Sequence, residues 1–127
     1  MNQKVVTNAA PAAIGPYSQG IISGKLVFFS GQIALDPSTG IMSDESIVSE
    51  THQVLKNIGG LLSACGIGFQ QVVKVSVFVT DMGQYSVINE IYGQYFKGEA
   101  LPARELVQVS ALPRGGRIEI SVIASLD

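Results

Sequence analysis

Val72-Val73-Lys74-Val75-Ser76-Val77-Phe78-Val79-Thr80 is the most strand-like segment of the chain. Side chains alternate faces along a strand, so Val73, Val75, Val77 and Val79 predict one wholly apolar face. Val72, Ser76 and Phe78 make the other face half apolar. A strand buried on both sides is usually central, with helices over one face of its sheet. In a chain of this length the second cover is expected from another subunit.

The neighbouring segments carry the helical period. Upstream, Ile47, Val48, Thr51, Val54, Leu55, Ile58, Leu61, Leu62 and Cys65 recur at helical spacing. They predict a helix from Ser43, capped by Ser43 or Asp44 and closed by Gly66. Gly59 and Gly60 lie inside it and each cost about 1 kcal/mol against Ala; close packing on a sheet is the simplest reason for them. Downstream, Asp81 begins a second helix with Met82, Tyr85, Ile88, Ile91, Tyr92, Tyr95 and Phe96 along one side.

Farther out, residues 19–23 and 26–33 read as strands joined by Gly24-Lys25, a hairpin signal. Residues 36–40 form a turn, and residues 4–7 a short strand. Residues 104–112 and 117–125 read as a second hairpin turning at Pro113-Arg114-Gly115-Gly116. In the last strand Ile118, Ile120, Val122 and Ala124 alternate with Arg117, Glu119 and Ser121. The order predicts an α+β fold: one mixed sheet with two helices on one face, in a single domain spanning residues 1–127.

Composition narrows the function. Hydrophobic residues make up 46% and charged residues 14% of the 127, well below the usual charged fraction. A small domain so poor in charge is expected to hide surface in a partner subunit. Eight basic and ten acidic side chains give a net charge of −2, and no run of Lys or Arg exists, so nucleic acid is not an expected partner. Residues 1–10 lack the apolar run of a signal peptide, and no apolar stretch approaches a membrane span. The lone Cys65 fits a reducing, cytoplasmic setting. With His52 and Cys65 the only residues of their types, zinc sites of the finger type are excluded, and no metal or cofactor is expected. His52 reads as a solvated surface residue, and Cys65 as a small buried hydrophobe. The chemistry falls to carboxylates, arginines, hydroxyls and backbone groups.

Several segments together resemble one family: Ala13-Ile14-Gly15-Pro16-Tyr17-Ser18-Gln19-Gly20, Ser30-Gly31-Gln32-Ile33, Val77-Phe78-Val79-Thr80-Asp81-Met82, Asn89-Glu90-Ile91-Tyr92, and Pro102-Ala103-Arg104 followed by Leu112-Pro113 and Ile118-Glu119-Ile120. On these the chain is similar to the reactive-intermediate deaminases (the Rid, or YjgF, family) over residues 4–124. The resemblance implies a chorismate-mutase-like subunit, a homotrimer with sites between subunits, and hydrolysis of 2-imino or 2-enamino acids such as 2-aminoacrylate. One departure is Leu106, where many relatives carry a Cys two residues after the arginine.

The same residues can be weighed by their chemistry. A guanidinium fork grips a carboxylate through paired hydrogen bonds, which suits Arg104 to substrate binding; alone, an edge-strand arginine is usually just paired or solvated. Glu119 suits the general base that activates water, though on an alternating strand a solvent-facing role is commoner. Tyr17 follows the loop signal Gly15-Pro16 and can present its hydroxyl at a cleft rim, with a packed ring as the bland reading. Ser30 lies in a strand beside Gly31, which marks either close approach to a ligand or a plain bulge. Asn89, on the second helix, completes the candidate substrate-binding set.

If residues 104–125 form a hairpin, Glu119 pairs near Ser110 and Arg104 near Ser125. The two then lie roughly 20 Å apart within a chain, so one site combining them draws on two subunits. Two other functions stay open. A non-catalytic binder of small carboxylates such as 2-keto acids would need the arginine but not the water-activating set, and Leu106 favours it. An RNA-cleaving activity would have to rest on Arg114 and Arg117, the only local basic feature.

Overall fold

A computed structural model describes the whole chain, Met1–Asp127. Its strands are β1 (Gln3–Val5), β2 (Gly20–Ser23), β3 (Leu26–Phe29), β4 (Val72–Val79), β5 (Ala103–Gln108) and β6 (Ile118–Ser125); its helices are α1 (Ile47–Ala64) and α2 (Tyr85–Tyr95). They form the α+β architecture expected: one six-stranded sheet in the order β1-β2-β3-β6-β4-β5 with both helices on one face. No helix is long and apolar enough to cross a membrane.

The valine-rich strand is interior, as read, flanked by β6 antiparallel and β5 parallel. Its apolar face differs by one residue from the alternation. A bulge between Val72 and Lys74 shifts the register, and an extra residue in a strand moves everything before it to the other face. The buried row is therefore Val72, Val75, Val77 and Val79, with Val73 exposed. These residues, Ile118, Ile120 and Val122 of β6, and Val54, Leu55, Ile58, Leu61 and Leu62 of α1 share one core.

The second predicted hairpin is absent. β5 and β6 are not neighbours; β4 lies between them. Parallel strands need a crossover of a dozen or more residues, usually a helix, and α2 supplies it between β4 and β5. Chain direction along 113–116 reverses as a hairpin would, but the chain passes over the end of β4 rather than pairing. Arg104 thus lies opposite Val75, not Ser125, and Glu119 opposite Phe78, not Ser110.

Local boundaries moved for identifiable reasons. The first helix starts at Ile47, with its cap three residues beyond Ser43, because Ser46 forms a reciprocal capping box with Ser49. Asp81 caps a 3₁₀ turn, Met82–Gln84, from which α2 continues. β3 ends at Phe29, so Ser30 and Gly31 lie in the loop beyond it, held to β6 by the paired backbone bonds of Gln32 and Ile120. Gly60 packs against the Ala9 backbone rather than the sheet; a Cβ there would collide with the Ala9 carbonyl. Cys65 caps the end of α1, half-buried against the core. His52 is not simply solvated: its Nδ1 lies 2.7 Å from the Tyr95 hydroxyl, joining the two helices.

The sheet's other face carries no helix. Two apolar pairs lie there, Phe28 beside Ile123 and Phe78 beside Val107, separated by Ser121 and Ser76, with Glu119 next to Phe78. Phe28 and Val107 are 43% and 42% exposed.

Candidate active site

Two clefts hold the candidate residues, on opposite sides of the sheet. The first, about 350 Å³, is lined by Tyr17, Gln19, Ser30, Gly31, Arg114 and Glu119, with apolar walls from Pro11, Ile14 and Ile33. The second, about 270 Å³, is lined by Arg104 and Asn89 together with Tyr92, Phe96, Leu101 and Pro102. The structure therefore unites Tyr17, Ser30, Gly31 and Glu119, and separately unites Arg104 with Asn89.

Glu119 projects from β6 beyond the register that carries Ile118 and Ile120 into the core. Its carboxylate rests on the backbone of Gly31. A Cβ at that position would collide with Oε2 and lie 2.9 Å from Cδ, which is the reason for a glycine there. Burial pushes the Glu119 carboxyl above its ordinary value of 4.5, because desolvation disfavours the charged form. A carboxyl poised above the usual range is better matched to exchanging protons near neutral pH.

The loop carrying Ser30 is fixed from both sides. Ser30 Oγ donates to the Ser18 carbonyl at 2.6 Å, leaving its lone pairs free to accept. Tyr17 is 53% exposed at the rim, its hydroxyl accepting from Ile14 N–H at 3.3 Å. Gln19 was not among the residues expected at the site, yet it organises this wall. Buried to 5% exposure, it accepts from Thr7 N–H at 2.8 Å and donates to the carbonyls of Thr7, Ala10 and Pro11. Strand alternation alone gives no sign that a glutamine would fold back on its own amino-terminal segment.

Arg104 comes from β5, an edge strand, and points toward α2. Its Nη1 donates to Asn89 Oδ1 at 2.8 Å and its Nη2 to the Tyr85 hydroxyl at 3.3 Å. Its guanidinium carbon sits 4.7 Å from the centroid of the Tyr92 ring. No carboxylate pairs with it; the adjacent Glu105 bonds instead to Lys74 and Ser76. Tyr85 and Tyr92 read in the sequence as the apolar side of α2, and their service as a platform for a cation was not visible there. Burial raises the Tyr92 phenol, with Arg104 pulling the other way, and its hydroxyl has no hydrogen-bond partner. Leu106 packs against the core and lines neither cleft.

Comparison with known proteins gives one consistent answer. Residues 7–126 match the family model described as Endoribonuclease L-PSP. The 2-iminobutanoate/2-iminopropanoate deaminase of Mus musculus is 50% identical over 123 residues, covering 96% of this chain and 90% of that protein; that of Homo sapiens is 46% identical over 123 residues, covering 96% and 89%. Among solved structures, the Rid-family protein YyfA from Yersinia pestis superposes with a TM-score of 0.95 at 44% identity, covering 98% and 99% of the two chains. TdcF from E. coli, solved with bound serine, gives 0.91 at 37% identity over 97% and 98%.

Proposed function

Because the chain belongs to the Endoribonuclease L-PSP family, the family of the Rid proteins, we propose that it hydrolyses short 2-imino acids and their 2-enamino tautomers, such as 2-aminoacrylate, to 2-keto acids and ammonia. One observation carries this reading. The chain displays two complementary half-sites: a desolvated carboxylate with hydroxyls around it, and a guanidinium braced on three side chains with no anion of its own. Neither half alone can both hold and hydrolyse an imino acid.

A homotrimer brings the halves together. The partly apolar open face, with Phe28, Phe78, Val107 and Ile123, supports such an assembly. Arg104 of one subunit then grips the substrate carboxylate, and the other cleft belongs to its neighbour. Glu119 takes a proton from water as the water oxygen bonds to the imine carbon, and passes that proton to the imine nitrogen. The tetrahedral carbinolamine is held by Tyr17 and Ser30. Glu119 then relays the hydroxyl proton of the carbinolamine to its nitrogen, and the C–N bond breaks with its electron pair on nitrogen, giving the keto acid and ammonia. The names of the mammalian relatives and the serine held by TdcF support small amino-acid-like substrates. RNA cleavage, which the family description names, has no basic stripe to support it in a chain of net charge −2.

The test generates 2-aminoacrylate in situ with a serine dehydratase and follows keto-acid release. Release accelerated by the protein, and not by Arg104→Ala, is expected. A folded protein that leaves the rate unchanged overturns the reading.

A further inference from the structure

The first cleft holds one charged residue that this reaction leaves unused. Arg114 is the only cation lining it. Its side chain makes no hydrogen bond or ion pair; the other two arginines are both engaged, Arg104 with Asn89 and Tyr85, Arg117 with Glu50 and the Asp44 carbonyl. Nor does it neutralise Glu119, whose carboxyl is raised by burial with no cation pulling it back.

Its backbone is unusual as well. Arg114 has φ +59°, the only residue other than glycine in the left-handed region. Such a conformation persists only where the surroundings over-determine it, and it clusters at functional sites. Here the turn is closed by Gly116 N–H on the Pro113 carbonyl at 3.0 Å. It is also anchored just beyond by Arg117, whose N–H and Nε both donate to the buried Glu50 carboxylate at 2.6 and 2.7 Å.

The same cleft has apolar walls in Pro11, Ala12, Ile14 and Ile33. Its volume of about 350 Å³ leaves room beyond Glu119 for more than a three-carbon substrate. An aliphatic spacer along those walls ending in an anion would satisfy both features.

We propose that Arg114 is a specificity-determining residue that binds a second, distal carboxylate, so that the site favours imino and keto acids of the dicarboxylate class, such as 2-iminoglutarate. The proposal rests on the deaminase reading for the reaction, but the distal anion subsite can be tested without turnover.

The experiment titrates the assembled wild-type protein with 2-oxoglutarate and with 2-oxobutanoate by calorimetry, and repeats both with Arg114→Asn and Arg114→Lys. Asparagine tolerates the left-handed backbone, so its variant keeps the turn, which an unchanged thermal midpoint checks. We expect 2-oxoglutarate to bind about tenfold or more tightly than 2-oxobutanoate, as one charge-assisted hydrogen bond allows. That preference disappears in Arg114→Asn and survives in Arg114→Lys. Equal affinities in the wild type, or a preference that Arg114→Asn leaves intact, overturn the proposal, as does failure to bind either acid. Wild-type turnover of 2-iminopropanoate, measured beside these, decides the deaminase reading independently.

Discussion

Arg104 and Glu119 flank the same strand and face opposite sides of the sheet. Arg104 is registered on Val75 and Glu119 on Phe78. An offset of three residues reverses the face, and two strand spacings plus that offset separate the Cα atoms by about 14 Å. The hairpin expectation was wrong in both its pairing and its roughly 20 Å; what keeps the two side chains of one chain apart is that they face opposite sides of the sheet.

Subunit complementation follows. Arg104→Ala and Glu119→Gln proteins should each be inactive. Refolded together in equal amounts, they should regain about a quarter of wild-type activity, because in a cyclic oligomer one interface in four pairs an intact arginine with an intact glutamate. Activity no greater than that of the unmixed variants would place both residues' roles in one chain.

The Glu119 carboxyl predicts a coupled effect on rate and stability. Its folded pKa is raised above 4.5 by burial, so the charged form is the one the fold disfavours. Stability from this group is present below the unfolded value and is lost as pH rises through the folded value. Glu119→Gln should therefore raise the thermal midpoint at pH 7, and the gain should vanish near pH 4. The acid limb of kcat/KM in the wild type should fall above the 4.5 of an ordinary glutamate. A limb at or below that value would remove Glu119 as the base.

Gly31→Ala tests the contact that seats this carboxylate. Gly31 has no positive φ, so alanine fits the backbone, but its Cβ would occupy the space of Glu119 Oε2. The flexible side chain can yield, and the reacting oxygen then moves by a fraction of its own diameter. A misplacement near 1 Å costs on the order of 10²-fold in rate. We expect kcat to fall by about that much with little change in thermal midpoint; an unaffected kcat would show that the carboxylate works from elsewhere.

Tyr92 separates a ring from its hydroxyl. Tyr92→Leu removes the face beneath Arg104, an interaction worth about 0.5–1 kcal/mol at a partly exposed site, so KM should rise roughly two- to fivefold. Tyr92→Phe keeps the ring and deletes a buried hydroxyl with no partner; it should leave KM unchanged and match or exceed the wild type in stability. Equal KM values for the two variants would deny the ring any part in holding the guanidinium.

The sequence yielded what is periodic and hid what is contingent. The core faces of β6 and α1 follow their alternation and helical spacing, except that Val48 is 45% exposed while Glu50 and Asn57 are buried. The face of β4 did not, because a single bulged residue is invisible to a period of two. The pairing of β5 was missed because a Pro-Gly turn between two strands looks alike whether they pair or straddle a third. Tyr17, Ser30, Gly31, Glu119, Arg104 and Asn89 were named as candidates through motif resemblance, but their division between two clefts required the register. Gln19, Tyr85 and Tyr92 were missed since their roles depend on partners 8 to 19 positions away, at no spacing a local pattern marks.

Glu50 and Arg117 form the ion pair that anchors the turn beside the first cleft. Glu50 has 0% exposure and Arg117 42%, so the two halves of one bond are not equivalent. Deleting the arginine side chain leaves a carboxylate in the core with only the backbone N–H of residue 117 still donating to it; stranding a buried charge costs about 3–5 kcal/mol. Neutralising the glutamate leaves a guanidinium that water can reach, and Glu50→Gln keeps an oxygen to accept from the same N–H, so the cost should be nearer about 1 kcal/mol. Denaturant unfolding of Arg117→Met and Glu50→Gln should show this asymmetry. The double variant should recover most of what Arg117→Met loses, because it removes the stranded charge along with its partner. If the two single variants lose equal stability, the pair acts as an ordinary surface bridge, and the anchor of the 113–116 turn must be sought in the backbone alone.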